Sequence, residues 1–266
     1  MSTQPYSDGA AGRIAHIKSH LDSGFRLDRA VHNIENNLGD PHACALHLSS
    51  HALASAMFAW FQSRDLEAMK QWCYVAARLD QQAYRMEVDT NGPRGYMLGL
   101  LTPLLSDHAA LIDWFPHYEG AYDLKRVENH KTRDFFAYQA VLALRGDWDR
   151  LITRCTQVID DPPGAHKEQK YLLDHHFYLA LARADIDGMN STLQQLVMPK
   201  AVQGRSNDES GFTDDLISTA AVIYAKIAWR NGFEVAVDSP YVPPEWLPIA
   251  PLERYDLRYR FLKDDR

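Results

Sequence analysis

The chain has 266 residues, of which 46% are hydrophobic and 24% charged, with 14 glycines and 13 prolines; this excludes a collagen-like, low-complexity or disordered chain. Its 28 Lys and Arg against 35 Asp and Glu leave a formal charge of −7. That is the reverse of the cationic footprint that exchange of counterions on a phosphate backbone requires, so direct nucleic-acid binding is disfavoured; the acidic excess reads first as a device for solubility, and as steering toward a basic protein partner second.

Residues 1–12, rich in Ser, Gly and Ala with no period, are expected to be disordered. They carry neither the cationic start nor the apolar run of a secretory signal. No stretch reaches the roughly 18 apolar residues of a membrane span, so no membrane association is expected. Cys44, Cys73 and Cys155 form no CxxC pair, which argues against a disulfide framework or a structural zinc site and places the chain in the cytoplasm.

From there the periodicity is helical. A helix or two fits 13–38, ended by Gly39, with Asp40-Pro41 restarting the chain as N-cap and first helical residue. Leu46, Leu53, Met57 and Phe61 recur at helical spacing. Leu66, Met69, Cys73, Ala76, Leu79, Ala83 and Met86 then step by three and four along one helix face. Trp148, Leu151, Ile152, Cys155 and Val158 repeat the behaviour, as do Leu173, Phe177, Ala180, Leu181 and Ala184, and Ile186, Met189, Leu193 and Leu196. A last long helix is expected over about Thr213 to Trp229, with Ile217, Ala220, Tyr224 and Ile227 inward.

Tight joints at Ser63-Arg64-Asp65, Ser106-Asp107, Arg145-Gly146-Asp147 and Arg183-Ala184-Asp185 each place an aspartate four residues before Met69, Leu111, Leu151 or Met189. An N-cap aspartate accepts hydrogen bonds from the free N–H groups of the first turn and suits the positive end of the helix dipole. The four are separated by 42, 40 and 38 residues. This drifting period predicts an all-α fold of stacked antiparallel α-hairpins, a degenerate, tetratricopeptide-like helical repeat. A non-repeating helical bundle would give the same joints. The segment 238–252 holds five of the prolines and cannot be a continuous helix; its Tyr241, Val242, Trp246, Leu247 and Ile249 predict an extended strap over the bundle. The expected organisation is one α-helical domain over 13–255 and a tail over 256–266.

Chemistry is sparse. His47 and His51 sit one turn apart, but Leu48 stands where a zinc protease motif has its glutamate, so no metal is expected. Asp174-His175-His176 lies within a helix, where consecutive side chains diverge by about 100°, and is expected to be helix surface with one half-buried ring. No nucleophile elbow, phosphate loop or dinucleotide fingerprint occurs. No catalytic residue and no cofactor are expected. Three features suit recognition instead: the aromatics Trp114, Tyr118 and Tyr122; the long loop carrying Asp208, Glu209, Asp214 and Asp215; and Asp160-Asp161 beside Pro162 and Pro163. Each also reads as ordinary packing or surface charge.

The helix ending Ala56-Met57-Phe58-Ala59-Trp60-Phe61, the following Arg64-Asp65-Leu66-Glu67, the run Ala76-Ala77-Arg78-Leu79 and the C-terminal 238–247 segment resemble the immunity protein 49 family, encoded beside toxin genes of polymorphic and contact-dependent systems. The resemblance covers most of 25–255. It implies a non-enzymatic antitoxin, in type VI secretion or polymorphic toxin systems, that binds a cognate effector toxin and protects the producing cell. Such toxins are often nucleases with basic clefts. The family lends no functional residues position by position. A helical-repeat adaptor or effector-secretion chaperone remains the alternative; it would bind several unrelated peptides instead of one folded domain.

Overall fold

A computed structural model describes residues 9–23, 26–86, 97–118, 120 and 122–263. Every regular element among them is helical, as the periodicity predicts. The chain divides into two compact units: Met1–Asn91, Thr102–Phe115 and Ala250–Arg266 form one, Gly92–Leu101 and Pro116–Ile249 the other. This departs from the single 13–255 domain and the 256–266 tail expected from sequence. Because the first unit is assembled from three separate stretches, no shift of composition along the chain marks its edges.

In the first unit, α1 (Ala10–Asp22) and α2 (Leu27–Glu35) pack on α3 (Pro41–Ser63), and α3 forms a hairpin with α4 (Leu66–Met86); α5 (Leu101–Ser106) and α6 (Ala109–His117) follow in the chain. Helix α1 starts inside the stretch expected to be disordered; residues 1–8 lie outside the described ones. Asp40 caps α3 by accepting from the Ala43 N–H at 2.9 Å, ahead of Pro41, as expected. The α3 face against α4 is lined by small residues, Ala45, Ala52 and Ala56, around Leu48 and Met57, while Leu46 is left 43% exposed. Small side chains on one helix let its neighbour approach closely, and α4 answers with Met69, Cys73, Ala76, Ala77 and Ala83, all buried. Each fully buried Met or Leu contributes about 1.5–3 kcal/mol.

The expected tail is stitched into this unit. Lys70 and Asp107 form a buried ion pair at 2.8 Å, and the same two groups take both sides of Ala250: Lys70 donates to its carbonyl, and its N–H donates to Asp107. Gln71 and Asp256 exchange two hydrogen bonds, Tyr255 donates to the Ser106 carbonyl, and Arg78 donates to that of Leu262. Arg258 lies over the Trp72 ring at 4.1 Å.

The second unit holds α7 (Leu124–Val127), α8 (Arg133–Arg145), α9 (Trp148–Asp160), α10 (His166–Gln169), α11 (Leu172–Ala182), α12 (Ile186–Leu196), α13 (Pro199–Gly204) and α14 (Thr219–Arg230). Helices α8 and α9 pair, α11 packs on both, and α12 joins α11 to α14. Buried Arg154 ties α7, α8 and α9 together: it donates to the Val127 and Phe135 carbonyls, to Gln139 and to Glu128, and stacks 3.6 Å from the Phe135 ring centroid. Helix α14 is buried on every side over 219–228, so it carries no amphipathic stripe. It starts at Thr219, later than the expected Thr213, because Thr213 closes a turn with Ser210 and Asp215 takes a left-handed φ of 63°. The strap behaves as predicted for Val242, Trp246 and Leu247, all buried, with the Ser218 N–H donating to the Tyr241 carbonyl; Ile249 is 39% exposed, not inward.

Three of the four joints share one geometry. Arg64, Gly146 and Ala184 adopt left-handed φ of 55°, 71° and 54°, and the aspartate after each donates its N–H back to Ala59, Leu142 or Ala180. Asp65 and Asp185 then cap the next helix, accepting from the Ala68 and Gly188 N–H groups at 2.9 Å. A Cβ on Gly188 would meet the Asp185 carboxylate at 2.4 Å, so a side chain there would displace that carboxylate from its present position. Asp147 holds the N-cap position of α9 without a side-chain cap bond. Asp107 is the exception: it is itself left-handed at φ 57° and spends its carboxylate on Lys70, not on a helix end.

Candidate partner interface

Cys155 is fully buried, and burial pushes its thiol up to about 12, so it carries no thiolate at neutral pH. Asp174 and His175, expected at a helix surface, are buried; only His176 is exposed. Asp174 pairs with Arg205 at 2.6 Å, which explains how a carboxylate is accommodated there. The His175 ring stands edge-on to Phe136 at 5.0 Å, and burial, reinforced by Arg154, drives its pKa down to about 3. His51 lies 5.9 Å from His20 by ring centroids; burial and then the neighbouring imidazoles of His20 and His47 lower its pKa. Among the described residues no group of three or more His, Cys, Asp and Glu is arranged to hold a metal ion.

The nine residues read from sequence as partner contacts fall in different settings. Trp114 belongs to the first unit, half-buried and edge-on to Phe115 at 5.0 Å, with Arg85 over its ring. Tyr118 and Tyr122 belong to the second; Tyr118 is half-buried, and Tyr122 packs edge-on to Tyr138 at 5.2 Å, its phenol raised by burial and by Tyr138. Asp208 accepts from the Tyr171 hydroxyl and pairs with Lys170 at 2.7 Å. Glu209 accepts from the Thr213 hydroxyl and from the N–H and hydroxyl of Thr219, organising the start of α14. Asp214 and Asp215 are half-buried in the same turn.

Asp160 and Asp161 differ from these. Both are exposed, at the last residue and C-cap of α9. Carboxylates at that end face the negative pole of the helix dipole, which disfavours them by roughly 0.3–1 kcal/mol. Helix stability therefore does not account for their position. Asp161 lies 3.7 Å from His130 and lines a cleft of about 240 Å³ with Lys131, Pro163 and Glu168.

On the other side of α10 the surface opens into two depressions of about 540 and 660 Å³ that share Gln169, Leu173 and Gln195, and so form one groove along α11, α12 and α13. Leu173, expected on an inward stripe, is half-buried in its floor, and Met198 is 56% exposed at its edge. Arg183 and Lys200 line its two ends. The sequence reading missed this groove; its one local signal was Met198-Pro199, an apolar residue at a helix break outside every stripe.

No helix of the described residues is long and apolar enough to cross a membrane. No curated protein and no solved structure matches the chain. The model of the family described as immunity protein 49 matches residues 63–246, a span that begins at the α3–α4 joint and ends on the buried Trp246 of the strap. With more than half of its length under that match, the chain belongs to the immunity protein 49 family.

Proposed function

We propose that this immunity protein is a non-enzymatic antitoxin that binds one cognate effector toxin of a polymorphic or type VI system in the cytoplasm of the producing cell and blocks it. The family match over 63–246 carries the reading. The net charge of −7 supports a basic partner, and the toxin we favour is a nuclease, whose substrate cleft must be cationic to hold a phosphate backbone. The acidic contact we assign is Asp160-Asp161, exposed where α9 itself gains nothing from negative charge. Asp214 and Asp215 are further acidic candidates, and Trp114 in the first unit and Tyr118 and Tyr122 in the second are the aromatic ones. We read the paired helices as a degenerate α-hairpin repeat, supported by the common geometry of the joints at Asp65, Asp147 and Asp185.

The test is co-expression with the toxin encoded beside this gene. Growth should be rescued, and the two proteins should co-purify one to one. Rescue without a stable complex, or no rescue, would reject the proposal. The double variant Asp160→Lys, Asp161→Lys should slow association and flatten its salt dependence, since exposed charges act over about 8–10 Å at physiological ionic strength. An unchanged association rate would move the acidic contact elsewhere.

A further inference from the structure

The groove along α11, α12 and α13 runs counter to the rest of this acidic chain. Leu173, Leu179 and Pro199 give it an apolar strip, with Met198 at the edge, among the polar Gln169, Thr192 and Gln195. Its two ends carry Arg183 and Lys200, both exposed and neither in an ion pair among the described residues. Asp185 is the carboxylate at the lip, and it is engaged in capping α12. A third cation, Lys170, is paired with Asp208. The groove therefore offers two cations outside any ion pair among the described residues, Arg183 near the Asp185 carboxylate in one depression and Lys200 in the other, on a molecule of net charge −7.

We propose that this groove receives one amphipathic helix of the toxin, lying along α11 with its apolar stripe on Leu173, Leu179 and Met198 and with carboxylates at its ends meeting Arg183 and Lys200. The assignment rests on the immunity reading and supplies a contact of opposite sign to the Asp160-Asp161 edge. Length fits: the groove follows α11 and its flanking residues for about 20 Å, three to four turns of helix. The chemistry fits too, because helix-in-groove recognition needs an apolar floor for i, i+3, i+4 and i+7 anchors and flanking charge to fix direction. A nucleic-acid strand would need a continuous run of cations and stacking aromatics, which two isolated charges and aliphatic side chains do not provide. A groove selective for acidic helices would also reject the basic cleft of unrelated nucleases, giving specificity that the acidic edge alone cannot.

The experiment uses the full chain and three variants at exposed positions: Met198→Glu, the pair Arg183→Glu with Lys200→Glu, and Arg183→Lys with Lys200→Arg as the charge-conserving control. Circular dichroism and thermal melting check that each folds as the parent does. Two probes are titrated: the toxin domain encoded beside this gene, and a stapled helical peptide of about four turns with a leucine stripe and glutamates at its ends. The charge-reversed and Met198→Glu proteins should bind both probes at least about tenfold more weakly, and the control about as well as the parent. A lysine-ended version of the peptide should regain binding to the charge-reversed protein and not to the parent. If the toxin domain binds all variants within about twofold of the parent, the groove proposal is overturned while the immunity reading stands. If the parent binds no toxin domain and protects no cells, the immunity reading falls and the toxin-helix assignment is overturned with it, whatever the peptide arm shows. Occupation of the groove by a second copy of the chain, seen as a dimer that Met198→Glu dissolves, would overturn it as well.

Discussion

Among the described residues, each unit holds a buried ion pair between residues more than thirty positions apart, and the two pairs do different work. Lys70–Asp107 in the first unit is joined to both backbone groups of Ala250, so it anchors a segment that has no regular structure of its own. Arg205–Asp174 in the second fixes the start of the 205–218 loop on α11, with Arg205 also donating to the Lys170 carbonyl, directly beneath the groove. Buried pairs add little net stability over an apolar substitute, but losing one partner leaves an uncompensated charge. They therefore act as registration devices, set where helix packing alone leaves a segment's position undetermined.

The comparison predicts an asymmetry. Asp174→Ala should destabilise the protein by about 3–5 kcal/mol in urea unfolding, because a guanidinium cannot shed its proton to escape burial. Asp107→Ala should also release the Ala250 N–H, so residues 250–263 should selectively lose hydrogen-exchange protection, which Asp174→Ala should leave in place. The same loss of protection there in both variants would contradict the assignment of the two roles.

Protons should also treat the units oppositely. His175 is held at about 3 against an unfolded value near 6.5, so its contribution is complete above pH 6.5 and is lost as pH falls toward 3, by about 1.4 kcal/mol per unit. Asp80 is raised by burial to about 6 from 3.8, so its contribution is complete below pH 3.8 and is lost as pH rises through 6. His175→Phe should remove the first slope and Asp80→Asn the second, read as the difference from the parent across a pH series of denaturation curves. Smallest in effect are the caps. Asp65→Ala and Asp185→Ala should each cost about 1 kcal/mol, while Asp147→Ala, whose side chain makes no cap bond, should cost a few tenths. Three equal values would show that dipole charge, not the cap hydrogen bond, dominates these joints.

What was legible in the sequence was whatever repeats locally. Stripes such as Met69, Cys73, Ala76 and Leu79 follow from the helical period, and the joints follow from the chemistry of a left-handed residue before a capping aspartate. The strap was readable because Val242, Trp246 and Leu247 are too apolar to leave in water. Long-range pairing was not legible: nothing in the sequence distinguishes Asp107, which caps no helix, from Asp65, which does, until Lys70 is brought alongside. Helix α14 lost its apparent start for the same reason, since Glu209 reaches Thr219 across ten residues. Of the candidate interface, the exposed acids at Asp160 and Asp161 were visible as a charged pair. The groove was not, because it is a shape made by three helices, and its leucines read as core.

The most direct measurement is a stoichiometric titration of purified toxin activity with purified immunity protein. With a tight, non-catalytic partner, toxin activity should fall linearly and reach zero at one equivalent. Complete inhibition by a small fraction of an equivalent, or full toxin activity in excess, would contradict the account.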